Sequence, residues 1–147
     1  MTQFNSNYSS NANDSTGLAF IKVYNTWHRL IKKELDKLNI THPQYVVLAS
    51  INYLIIHQTE VKQIDISKLS DIDTVTVSDI LKLLEKKGFV ERKFSKQDSR
   101  AKVVNLTQQG LSVTGEATKI VEYIDLKFFG SLENEQPVFL ELLKRLI

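Results

Sequence analysis

Apolar residues recur every three or four positions along most of this chain, and the breaks between these stripes divide it into helices. Over residues 18–38 the stripe is Phe20, Tyr24, Trp27, Ile31, Leu35 and Leu38. Ile21, His28 and Leu30 widen it, so this helix has apolar surface for more than one neighbour. Burial against a second subunit and a plain intramolecular core both account for that width. Residues 39–42 break the pattern, with Thr41 or His42 able to cap the next helix and Pro43 near its first position, where a missing N–H costs nothing. The second helix, 43–57, carries Val46, Val47, Leu48, Ile51, Leu54 and Ile55 and is apolar on several sides, as a central helix would be. A polar stretch then leads into Ile64, Asp65 and Ile66, either a very short strand or the entry to a third helix over 67–71 that offers Leu69 and Ile72 to the core. A tight turn at 72–74, with Asp73 or Thr74 as N-cap, opens a fourth helix with Val77, Ile80, Leu81 and Leu84 inward. Gly88 ends it in the left-handed region, and Lys86 and Lys87 sit favourably at the negative end of its dipole.

After Gly88 the period changes. Residues 89–94 alternate, with Val90, Arg92 and Phe94 against Glu91 and Lys93, and 101–106 form a return strand with Val104 and Leu106 on one face. The link between them, 95–100, is polar and charged. Thr107 then caps a long helix to about residue 129, with Val113, Ala117, Ile120, Val121, Ile124 and Phe128 inward. Gly130 and Ser131 break it, and a last helix over 137–147 carries Val138, Leu142, Leu143 and Leu146. Residues 1–17 are rich in Asn and Ser, the composition of a disordered tail. There is no internal repeat and no sign of a second domain. The expected fold is mainly α with a small β hairpin, and a tight helix-turn-helix followed by a basic hairpin is the plan of a winged helix-turn-helix.

Composition narrows the function. A chain of 147 residues that is 42% hydrophobic and 24% charged can build one domain with a real core. It has no cysteine, which excludes disulfides, thiolate metal sites and thiol redox switching, and suits a cytoplasmic protein. No apolar run reaches the roughly 18 residues needed to span a membrane, and the N-terminus lacks the regions of a signal peptide. There is no Gly-rich phosphate loop, no cysteine nucleophile and no recognisable pairing of carboxylates beside a His, so no enzyme and no cofactor is expected. His28, His42 and His57 lie on different segments, where packing or capping roles compete with a metal-responsive site. The net charge of +2 hides an asymmetry. Between 86 and 102 there are seven cations against two anions, whereas from 106 onward there are four against six. A basic run on a compact hairpin suits a phosphate-facing surface.

At this point the residues resemble a family, the multiple antibiotic resistance regulators (MarR). The likeness lies in T-V-x-V-S-x-x-x-x-x-L-E-x-K-G-F-V-x-R at 74–92, D-S-R at 98–100 and L-T-x-x-G at 106–110, with the same element order over 18–147. The resemblance implies a homodimeric, sequence-specific DNA-binding transcription regulator, a repressor relieved by a small phenolic or anionic effector. The segments 18–42 and 107–147 would dimerise, and 43–106 would form the winged helix-turn-helix that reads a pseudo-palindromic operator in double-stranded DNA. A winged-helix protein-interaction module without DNA binding is the alternative, and salt-dependent DNA affinity separates the two.

In that arrangement the fourth helix enters the major groove with Thr74, Val75, Thr76, Ser78, Asp79 and Lys82 off its core stripe. Val75 and Thr76 offer methyls to thymine, Ser78 donates or accepts, and Lys82 reaches a phosphate or a guanine. Asp79 departs from the family pattern, which favours a basic or amide residue nearby. It either reads a base amine or pairs with Lys82 or a wing cation. On the wing, Arg100 suits a narrow A·T-rich minor groove, with Asp98 holding it in a bidentate pair beside Ser99. Lys93, Lys96 and Lys102 suit phosphates, and Arg92 either bridges strand and helix or touches the backbone. Trp27, His28, Tyr45 and Tyr53 lie where the family places its effector, although aromatics on helices more often build core.

Overall fold

The computed structural model describes residues 5–147; residues 1–4, the start of the expected tail, lie outside them. Asn11 caps a single 3-10 turn at Ala12–Asp14, and Ser15 accepts the Leu18 N–H at 3.3 Å to start α1 (Thr16–Leu35), two residues before the apolar stripe begins. The chain continues through α2 (His42–His57), α3 (Gln63–Ser70), α4 (Thr74–Lys86), β1 (Val90–Phe94), β2 (Lys102–Leu106), α5 (Gln108–Gly130) and α6 (Gln136–Lys144). It is a mainly helical winged helix-turn-helix, flanked by α1 on one side of the sequence and α5 and α6 on the other.

Local chemistry sets the boundaries. Thr41 and Gln44 form a reciprocal capping box, side chain to backbone at 3.2 and 3.1 Å, and Pro43 follows in the first turn of α2. The third helix differs from expectation. Asp65 Oδ2 accepts the Lys62 N–H at 2.8 Å, so α3 begins at Gln63 and contains Ile64 and Ile66. The extended residues lie just upstream: Val61 O accepts the Val104 N–H at 2.8 Å, and Lys62 bridges Val103. The α2–α3 connection therefore runs along β2 as a third strand position beside the two-stranded hairpin. That hairpin is antiparallel, pairing Val90 with Leu106 and Phe94 with Lys102 at its two ends.

The core closes around α2, whose Val47, Leu48 and Ile51 are fully buried against Ile31 and Leu35 of α1, Ile66 of α3, Leu81 and Leu84 of α4, and Ala117 of α5. Burying each of these larger side chains contributes about 1.5–3 kcal/mol. The hairpin adds Val90 and Val104. The corner between α4 and β1 depends on two glycines. Gly88 adopts φ +76°, the left-handed stop expected of it. Gly110 lets the first turn of α5 lie against the backbone of Phe89, since a Cβ there would overlap the Phe89 carbonyl. Thr107 donates its hydroxyl to Gly88 O, gives its N–H to Phe89 O at 3.0 Å and accepts the Gly110 N–H at 3.0 Å. The L-T-x-x-G motif is thus the joint that fixes α5 to the winged domain.

Much apolar surface stays open on the flanking helices. Of the α1 stripe only Ile31 and Leu35 are buried, while Phe20 is 57% exposed. Helix α6 buries no residue, leaving Val138, Leu140 and Leu142 exposed, with Leu146 beyond it. A groove of about 1140 Å³ runs between α1, α5 and α6, lined by Val23, Leu30, Tyr123, Phe128, Leu132 and Phe139 among others. No described helix is long and apolar enough to cross a membrane.

Candidate nucleic-acid interface

The turn before α4 is built by side chains that close on the backbone. Ser67 Oγ donates to Ile72 O at 2.6 Å, Asp71 turns left-handed at φ 57°, and Gln63 Nε2 donates to Thr74 O at 2.7 Å. Asp73 then caps α4, accepting the Thr76 N–H at 2.9 Å and the Thr76 hydroxyl at 2.6 Å. These bonds hold the Asp73 carboxyl below the usual carboxylate range, the hydroxyl contributing most.

The amphipathic pattern sends Val77, Ile80, Leu81 and Leu84 inward and leaves Thr74, Val75, Thr76, Asp79 and Lys82 exposed, with Ser78 half-buried beside them. Val75 is 71% exposed at the leading turn. An isopropyl group so placed gains nothing from the protomer and suits an apolar contact such as a thymine methyl. Asp79 pairs with Lys82, Oδ1 to Nζ at 3.1 Å, one of its two expected arrangements.

On the wing, Arg92 reaches Glu85 of α4 and so bridges strand and helix. Lys93 pairs with Glu91 at 3.2 Å, and Lys102 Nζ lies 5.7 Å from the centroid of the Phe94 ring across the hairpin. Lys96, Asp98, Ser99 and Arg100 occupy the exposed tip. The bidentate Asp98–Arg100 pair is not formed. Asp98 Oδ1 instead accepts the backbone N–H of Arg100 at 2.9 Å, a local turn two residues long that lets the guanidinium project. Among the described residues, no ion pair involves Lys96, Arg100 or Lys102.

Sequence reading missed the residue on which the wing rests. Glu60, in the α2–α3 connection, accepts the Ser95 hydroxyl on Oε2 at 2.6 Å and the Lys96 N–H on Oε1 at 3.1 Å. Ser95 is buried, and its Oγ accepts the N–H groups of Gln97 and Asp98, both at 3.0 Å. Thirty-five positions separate Glu60 from Ser95, and no local pattern announces the pair.

Three of the four effector candidates fall together and the fourth lies apart. Trp27, His28 and Tyr45 meet in an aromatic cluster with Tyr24, His42 and Phe129, in which His42 lies 5.2 Å from both Trp27 and His28 between ring centroids. Trp27 Nε1 donates to Asp125 Oδ1 at 2.7 Å, tying α1 to α5. Burial and then the neighbouring His28 charge push the His42 pKa down, while burial and Glu122, opposed by the Trp27 bond, push Asp125 up. Tyr53 stands apart, stacked on His57 at 4.1 Å two turns further along α2. None of the four lines the groove between α1, α5 and α6. The three histidines do not converge either, and among the described residues no group of three or more His or carboxylate side chains is placed to hold a metal.

Comparison with known proteins places this geometry. The MarR family model matches residues 40–102, from the start of α2 to the far side of the wing. The chain is 36% identical over 138 residues to the uncharacterized HTH-type transcriptional regulator YdcH of Bacillus subtilis, an alignment covering 92% of this chain and 94% of that protein. The crystal structure of an S. aureus MepR–DNA complex superposes with a TM-score of 0.78 at 26% identity, over 90% of this chain and 96% of that one. A cysteine-to-serine variant of Escherichia coli MarR complexed with operator DNA has a TM-score of 0.80 over 97% of this chain and 99% of that one; at 24% identity this is a likeness of fold. With the family model running from α2 to the first residue of β2 and a regulator of helix-turn-helix type alike along nearly its whole length, the chain belongs to the MarR family.

Proposed function

We infer that the protein is a homodimeric transcription regulator that binds a pseudo-palindromic operator through α4 and the wing. The observation that carries this reading is the pairing of an exposed α4 leading turn with a wing tip at which the Arg100 and Lys96 side chains form no ion pair among the described residues. Thr74, Val75, Thr76, Ser78 and the Asp79–Lys82 pair face base edges. Arg100 enters the minor groove, and Lys93, Lys96, Ser99 and Lys102 supply phosphate contacts that add affinity and salt dependence. Arg92 and Asp98 support the wing from within. Single copies of α4 and the wing bury little surface, and two copies about 34 Å apart read both halves of a palindrome. The open faces of α1, α5 and α6 are where the second copy packs, which accounts for the width of the α1 stripe.

The same reading makes the protein a repressor released by a small phenolic or anionic effector, with Trp27, His28 and Tyr45, which share one aromatic cluster, as its candidate contacts and Tyr53 apart from them. The relatives are regulators rather than catalysts, and the chain acts by occupancy of DNA. Selection from a random-sequence duplex pool tests this. Enrichment of a two-fold symmetric site with half-sites one turn apart is the expected result, and a pool that stays random contradicts it.

A further inference from the structure

We propose that Glu60 is the positioning residue of the wing: its carboxylate sets where Arg100 stands before DNA arrives. The inference rests on the DNA-binding reading and adds a residue outside both the helix and the hairpin. A carboxylate beside a basic DNA-facing hairpin ought to weaken phosphate binding. Glu60 instead turns both oxygens to the wing, Oε2 to the Ser95 hydroxyl and Oε1 to the Lys96 N–H. The Ser95 hydroxyl is in turn the acceptor for the Gln97 and Asp98 N–H groups, and Asp98 accepts the Arg100 N–H. The chain of bonds therefore runs from Glu60 through Ser95 and Asp98 to the backbone of Arg100. Gln58 Nε2 donates to Glu60 O at 2.8 Å, and Val61 pairs with Val104, so the anchor is itself held on both sides. A two-stranded hairpin is marginal in water by itself. Its tip would sample many positions, and DNA binding would have to supply the cost of ordering it. Glu60 removes that cost in advance, as one acidic group committed to preorganisation.

Two readouts test this on the intact protein. In the free protein, Glu60→Ala speeds amide hydrogen exchange at Lys96, Gln97 and Asp98 by about tenfold or more, Glu60→Gln has a smaller effect because one acceptor remains, and Ser95→Ala reproduces the loss. Unchanged exchange overturns the proposal. On a fluorescein-labelled duplex recovered by random-pool selection, Arg100→Ala costs wild type about tenfold in affinity and the Glu60→Ala background less than about threefold. Penalties that multiply would show that Glu60 and Arg100 act independently and overturn the positioning role while leaving the DNA reading intact. Wild-type protein that selects no duplex overturns the DNA reading itself.

Discussion

Arg92 places Nη2 2.7 Å and Nε 3.2 Å from the same carboxylate oxygen of Glu85, clamping the first wing strand to the last turns of α4. The Arg92 side chain is only 19% exposed, so the clamp also packs. It fixes the angle between α4 and the wing. Arg92→Ala is expected to lower stability by about 1 kcal/mol, a modest figure because Glu85 is solvent-screened. It should weaken operator affinity while leaving base preference unchanged. Urea denaturation and competition binding measure the two effects. The Arg92 hydrogen bond and charge hold the Glu85 carboxyl below its ordinary range. The clamp's contribution is therefore complete above the ordinary carboxylate value and fades as pH falls through the folded one.

Gly110 and Gly115 lie in the same helix, yet their surroundings separate them. A Cβ at Gly110 meets the Phe89 carbonyl, whereas nothing lies within 4 Å of one at Gly115. Gly110→Ala should cost about 2 kcal/mol or more, because the obstacle is backbone. Gly115→Ala should stabilise by about 0.5–1 kcal/mol through helix propensity. Thermal unfolding of the two variants, compared side by side, decides it.

How much of the structure is legible in the chain depends on how local each cause is. The caps at Thr41 and Asp73, each one of two candidates, the Thr107 cap, the Gly88 stop and the two hairpin strands all depend on residues a few positions apart, and the structure has them. Asp79–Lys82 is a three-residue interval on a helix and is equally visible. The start of α3 is hidden because Asp65 caps it from inside a segment whose apolar alternation resembles a strand. Asp98 and Arg100 invite a pairing through side chains, but the shorter route runs from carboxylate to backbone. Trp27 and Asp125 lie 98 positions apart, and Glu60 and Ser95 lie 35 apart. Such partners meet only after the core has formed, so no periodicity encodes them.

His42 gives the aromatic cluster between α1 and α2 a pH dependence with a definite sign. Burial and His28 depress its folded pKa, so the unfolded chain binds the proton more tightly. Stability from this group is complete above the ordinary His value and is lost as pH falls through it. Asp125 has the opposite sign, since its raised pKa favours the folded state at lower pH, nearer the carboxylate range. The midpoint of thermal unfolding should therefore drop between about pH 7.5 and about pH 5.5, and His42→Asn should flatten that drop.

The proposed assembly packs the second copy on the terminal helices. Leu142, exposed on α6 in the single chain, would be buried in that contact. Leu142→Asp should shift sedimentation from dimer to monomer while the far-ultraviolet spectrum keeps its helical form. Operator affinity should fall by more than about a hundredfold, because each half-site is then held alone. A monomeric wild type would contradict the same statement.

The most direct test of DNA recognition is a fluorescence-anisotropy titration of duplex from the gene's own upstream region against a scrambled duplex, at two salt concentrations. Wild type should bind the upstream duplex more tightly, with affinity falling steeply as salt rises. Lys96→Ala should reduce the salt slope by about one, and Arg100→Ala should narrow the preference for the upstream duplex by about tenfold. Equal, weak and salt-insensitive binding to both, with the random pool also yielding no site, would contradict DNA recognition and leave a winged-helix module that binds protein.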